Sequence, residues 1–98
     1  MIPIIKTSLP EKSILLPRLE EILYSGYIAQ GEAVENFERK FEEYVGGGYT
    51  LSLNSGTAAL HVALILAGVQ PGDEVISTAL TAEPTNVAIK MVGAKIRW

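Results

Sequence analysis

The sequence contains no cysteine. That excludes a disulfide framework and any metal held by thiolates, and it agrees with a reducing, cytoplasmic compartment. With a single histidine, His61, in 98 residues, a multi-histidine metal site is excluded as well. Basic residues are scarce: eight Lys and Arg against eleven Asp and Glu leave a formal net charge of −3. No basic run is present, so neither a nucleic acid nor an anionic membrane is expected as partner. The opening MIPIIKTSLP lacks the long apolar core of a signal peptide. The longest apolar run, Ala58 to Val69, contains His61 and falls far short of the ~20 residues of a membrane span. What the chain does have is a globular composition, 48% hydrophobic and 19% charged.

Residues 1–48 read as a first section, an extended segment followed by two helices. Pro3 and Pro10 keep residues 1–10 out of a helix. Leu15, Leu16, Leu19, Ile22 and Leu23 then form a stripe of helical period. Pro17 is tolerated only near a helix start, so the regular helix is expected from about Leu16 to Gly26. The loop Gly26-Tyr27-Ile28-Ala29-Gln30-Gly31 is framed by glycines. A second helix is predicted from Glu32 to Val45, with Val34, Phe37, Phe41, Tyr44 and Val45 on one face and solvated charges elsewhere. Gly46-Gly47-Gly48 stops it, with at least one glycine at positive φ.

Residues 49–98 form a second section with a different pattern. Strand Tyr49–Leu53, helix Thr57–Ala67, a Gln70-Pro71-Gly72-Asp73 turn, strand Glu74–Thr78, helix Pro84–Val92 and a strand from Lys95 give β-α-β-α-β. Apolar strands alternating with helices indicate an α/β fold with a parallel sheet covered on both faces. The closing GAKIRW reads as a strand just beginning, so an incomplete piece of a larger domain is expected. The helix after Thr57 is apolar nearly all round and should be buried on most sides.

Between the first strand and that helix stands Asn54-Ser55-Gly56-Thr57. A strand-to-helix turn of an α/β sheet lies at the carboxyl edge, where ligands of such sheets bind. The first N–H groups of a helix lack partners inside it, and its dipole is positive there. Gly56 permits close approach to the main chain, and Ser55 and Thr57 add hydroxyl donors. A phosphate suits this corner. So does a plain capping turn with Asn54 or Ser55 as N-cap. No Gly-Lys-Ser/Thr follows, and the glycines of Gly46 to Gly48 precede the strand, so neither a P-loop nor a dinucleotide fingerprint is present.

SGTAALHVAL followed by GVQPGDEVIS, with SGYIAQGEAVENFERKFEEYVG upstream and Thr81…Pro84-Thr85-Asn86…Gly93-Ala94-Lys95 downstream, resembles the amino-terminal quarter of the DegT/DnrJ/EryC1/StrS aminotransferases. These are fold-type I pyridoxal-phosphate enzymes that mostly aminate nucleotide-linked keto-sugars. The resemblance spans about Ile2 to Trp98. It implies that Ser55, Gly56, Thr57 and the Ala58 N–H hold the phosphate of pyridoxal 5'-phosphate. It further implies that the loop after Glu74–Thr78 nears the cofactor ring and that the loop carrying Tyr27 and Gln30 borders the substrate, close to a homodimer interface. Many members have a ring-stacking aromatic where this chain has Ala82. Glu83 beside it either reaches the substrate or is a solvated loop carboxylate. The family's cofactor-linking lysine and the aspartate that pairs with the pyridine nitrogen lie beyond Trp98, and Lys90 and Lys95 are not in that lysine's context. The resemblance therefore implies no catalytic residue here: these 98 residues would carry the cradle of an enzyme moving an amino group from an amino acid, glutamate by family habit, to a keto-sugar nucleotide. Two other readings remain: a non-catalytic α/β remnant that binds a phosphate ligand or a subunit, and an unrelated βαβ nucleotide-binding piece.

Overall fold

The structure, a computed structural model, describes residues 7–98, so Pro3 and most of the expected extended segment lie outside the described residues. The chain divides into two compact units, Met1–Thr50 and Leu51–Trp98.

In the first unit, α1 spans Lys12–Ser25 and α2 spans Glu32–Val45. The first helix starts a turn earlier than Pro17 suggested, because the Glu11 carbonyl accepts from the N–H groups of Ile14 and Leu15, both at 2.9 Å. Pro17 cannot donate to the Ser13 carbonyl. The helix runs through that single missing bond and ends at Gly26, whose φ is 80°. Tyr27 approaches Gly31 so closely that a Cβ on Gly31 would lie 3.0 Å from the Tyr27 Cβ. Along α2 the rings of Phe37, Phe41 and Tyr44 form a row with centroid spacings of 6.0 and 6.4 Å. The apolar face has the expected period, yet Phe37, Phe41, Tyr44 and Val45 are all exposed. After α2, Gly46, Gly47 and Gly48 all take positive φ. Just beyond this turn the Thr50 N–H donates to Glu42 Oε1 at 2.7 Å, tying the chain back to the helix.

The second unit contains α3 (Gly56–Leu66), β1 (Glu74–Ile76), α4 (Glu83–Met91) and β2 (Lys95–Arg97). The strands pair in parallel with Val75 opposite Ile96. Two flanking bonds extend the ladder, Lys95 N–H to the Asp73 carbonyl at 2.7 Å and Ser77 N–H to the Arg97 carbonyl at 2.8 Å. Helix α4 packs against β2 and against α3. Ala88 and Ile89 of α4 and Ala94 beside β2 are the buried apolar residues. The turn into β2 is fixed by Gly93, which has φ 76° and sits where a Cβ would meet Pro71 at 3.0 Å.

The α/β class with a small parallel sheet stands, but four details differ from expectation. Residues 49–53 form no strand, because a segment becomes a strand only by pairing and the described sheet consists of β1 and β2 alone. The order is therefore α-β-α-β, and β1 ends at Ile76 instead of Thr78. The sheet is not covered on both faces, since Ile76 is 87% exposed. Nor is α3 enclosed: none of its residues is buried, and Leu60, Ile65 and Leu66 are exposed. Among the described residues, no helix is long and apolar enough to cross a membrane.

Candidate functional site

The start of α3 carries the sequence-predicted corner. Ser55 is the N-cap, in extended conformation, and its Oγ accepts from the Ala58 N–H at 3.1 Å. The Ser55 carbonyl accepts from the Ala59 N–H at 3.1 Å. The cap reading of this turn is thus realised in Ser55, not Asn54. It does not exhaust the corner. A helix start leaves four N–H groups outside its own ladder. Here Ser55 Oγ takes that of Ala58, and those of Gly56 and Thr57 have no acceptor among the described residues. The Ala58 N–H, expected to face an anion directly, is taken up by the serine.

A hydroxyl has one hydrogen to donate and two lone pairs to accept with. Ser55 Oγ accepts from Ala58, so its own O–H remains able to donate outward. The corner therefore offers the N–H groups of Gly56 and Thr57 and the hydroxyls of Ser55 and Thr57. A Cβ built on Gly56 would meet nothing within 4 Å. Packing among the described residues does not demand glycine there, whereas an occupant pressed against the main chain would. No acid occupies the first turn of α3. The dipole's positive end is therefore not answered by a carboxylate of the same turn.

Ala82 is the N-cap of α4 and makes no side-chain cap bond, and Glu83 is the first residue of that helix, exposed. Both follow the connection that leaves the carboxyl end of β1, the ligand-binding edge of such sheets. Tyr27 and Gln30 belong to the first unit. Tyr27 is 74% exposed, and its N–H donates to Ser25 Oγ at 3.1 Å. Ser25 in turn donates to the Ile22 carbonyl at 2.7 Å, which holds the loop to the end of α1. Lys90 and Lys95 are exposed. Among the described residues no group of acids and His61 is placed to hold a metal ion.

One polar pair was not singled out from the sequence. Ser77 Oγ donates to Asn86 Oδ1 at 2.7 Å, both residues half-buried. It joins the end of β1 to the second turn of α4. No periodicity or spacing motif marks it, because the partners belong to two different elements.

The profile of the DegT/DnrJ/EryC1/StrS aminotransferase family matches residues 11–97. Protein MosB of Rhizobium meliloti is 51% identical over 65 residues, 66% of this chain and 13% of that protein. The dTDP-3-amino-3,4,6-trideoxy-alpha-D-glucose transaminase of Micromonospora megalomicea subsp. nigra is 35% identical over 85 residues, 87% of this chain and 23% of that one. Among solved structures, NtdA from Bacillus subtilis with bound cofactor PMP superposes with a TM-score of 0.79 at 32% identity. That match covers 85% of this chain and 19% of NtdA. The chain thus spans between an eighth and a quarter of these relatives.

Proposed function

Because the chain belongs to the DegT/DnrJ/EryC1/StrS aminotransferase family, we propose that its Ser55-Gly56-Thr57-Ala58 corner is the phosphate cradle of a pyridoxal-phosphate-dependent sugar aminotransferase. The observation that carries this reading is the pair of unengaged N–H groups at Gly56 and Thr57, beside a capping serine and a glycine with open space where a side chain would stand. The donor set fits a phosphate dianion: two main-chain N–H groups, two hydroxyls and the positive end of a helix. Ala58 contributes indirectly, since its N–H fixes the rotamer of Ser55 and so the direction of the serine O–H.

Pyridoxal phosphate, when bound, supplies an electron sink that lets an amino group pass from one carbon to another. The residues of this chain bind and orient it. Gly56 and Thr57 anchor one end. The connection carrying Ala82 lies beside the ring, and Ala82 is too small to stack on it. Glu83, next to Ala82, is the residue of this unit that borders the substrate, a nucleotide-linked keto-sugar in keeping with the dTDP-sugar relative. The amino donor is an amino acid, glutamate in this reading. In this reading no lysine of the chain is assigned to link the cofactor, and no acid to pair with its ring nitrogen. The exposed apolar faces of α2 and α3 fit a homodimer, and a cysteine-free chain fits the cytoplasm.

The test is titration of the full chain with PMP and, separately, with inorganic phosphate. PMP carries an amine and cannot condense with lysine, so only the site is read. Wild type should bind both, and Gly56→Asp should weaken both by about 100-fold or more, the like-charge penalty being ~2.7 kcal/mol or larger. Affinity that survives the change overturns the assignment.

A further inference from the structure

The connection between β1 and α4, residues 77–82, has no regular structure of its own, yet it is fastened along its length. At its start the Ser77 N–H donates to the Arg97 carbonyl of β2 at 2.8 Å. Ser77 Oγ donates to Asn86 Oδ1 at 2.7 Å. In the middle, the Leu80 N–H donates to Thr78 Oγ1 at 3.2 Å. At its end the hydroxyls of Thr81 and Thr85 lie 3.1 Å apart. Of these, the Ser77–Asn86 bond alone joins the strand end to the body of α4 through half-buried side chains. The Asn86 amide nitrogen also points back to the Thr78 carbonyl, at 3.5 Å. One side chain on α4 thus faces two successive residues as the chain leaves the sheet. A partly buried, charge-assistance-free bond of this kind holds a connection in place more than it stabilises the whole fold.

We propose that Asn86 is a positioning residue: through Ser77 it sets the path of the 77–82 connection, and thereby the orientation of the cofactor ring that this connection borders. The inference rests on the cradle reading above. It divides the labour in this unit. The α3 corner fixes where the phosphate sits, and the Ser77–Asn86 pair fixes how the distal ring lies. Loss of the pair should therefore alter the ring without releasing the phosphate.

The experiment uses PMP bound to the full chain and reads two signals, the induced circular dichroism of the ring and the affinity for inorganic phosphate. In Asn86→Ala the ring signal should fall to roughly half or less, with phosphate affinity held within about threefold, since one neutral hydrogen bond away from the anion is removed. Ser77→Ala should reproduce this from the other partner, and it serves if Asn86→Ala fails to fold. The double variant should be no worse than either single one, as expected for two residues acting through one bond. Ser77→Thr, which keeps the hydroxyl, should retain the ring signal. A wild type that binds neither PMP nor phosphate overturns the cradle and this inference together. Binding with an unchanged ring signal in both alanine variants overturns the positioning role and leaves the cradle standing.

Discussion

Helices α2 and α3 begin in opposite ways. The first turn of α2 contains Glu32 and Glu35, and its N-cap, Gly31, provides no side-chain bond. The first turn of α3 contains no acid, and its N-cap Ser55 binds one of the orphaned amides while two others stay open. A helix start is electropositive in either case. One helix answers that charge with its own carboxylates. The other is left with a positive, donor-rich end and a main chain bared by Gly56. Their bodies differ in the same sense, since α2 carries charge along most of its length and the GTAALHVALIL of α3 carries none. The start of α2 satisfies itself, whereas α3 leaves both its end and its sides to be satisfied by something else.

Converting one start into the other gives the largest expected effect. Gly56→Asp places an acid in the first turn of α3, as α2 has. Among the described residues nothing stands within 4 Å of the new Cβ, and aspartate at a helix start is favourable, so the protein should fold as well as before or slightly better. Phosphate binding should fall by the two orders of magnitude stated above. Stability and affinity thus move in opposite directions. If thermal melting shows that both are lost together, the glycine serves folding and the contrast between the two helix starts has no bearing on ligands.

Ser55→Ala and Thr57→Val separate the two duties of the corner, with smaller effects. Ser55 both caps the helix and offers a hydroxyl. Its removal should cost about 1 kcal/mol of stability in urea unfolding and about tenfold in phosphate affinity. Thr57 is not the cap. Thr57→Val keeps the shape and removes one donor, so affinity should fall by a similar factor with stability within ~0.5 kcal/mol of wild type. Equal stability losses in both variants would mean that capping alone explains the corner.

These contrasts also show what the sequence could convey. The glycines after α1 and α2 stop their helices at positive φ, and the Ser-Gly-Thr corner lies where the apolar run begins, because capping and helix period are local properties. The start of α1 was misplaced by a rule that is also local: Pro17 forfeits one bond, but the Glu11 carbonyl secures the turn before it. The strand expected at 49–53 is absent for a different reason. Its apolar residues permit a strand, yet pairing depends on chain far away in sequence. The same holds for Ser77 and Asn86, whose bond exists only once β1 and α4 have been brought side by side. Of the proposed site, the capped Ser-Gly-Thr turn at the start of α3 was legible, while the division of its amides between Ser55 and an open face needed coordinates.

The smallest effect tests the other half of the comparison. Glu32→Gln with Glu35→Gln strips the carboxylates from the start of α2 while keeping side-chain size. The glutamates are exposed, so their interaction with the helix end is screened, and removing them should shift the helix equilibrium by roughly two- to fivefold at low ionic strength. At about 1 M salt the Debye length shrinks to ~3 Å and the difference should vanish. Far-UV circular dichroism through urea unfolding, at both salt levels, reads this directly. Phosphate affinity should not change in either condition, because the proposed cradle lies at the other helix start. A penalty that persists undiminished in high salt would show that these glutamates act through packing or hydrogen bonds, and that α2 does not answer its dipole with charge.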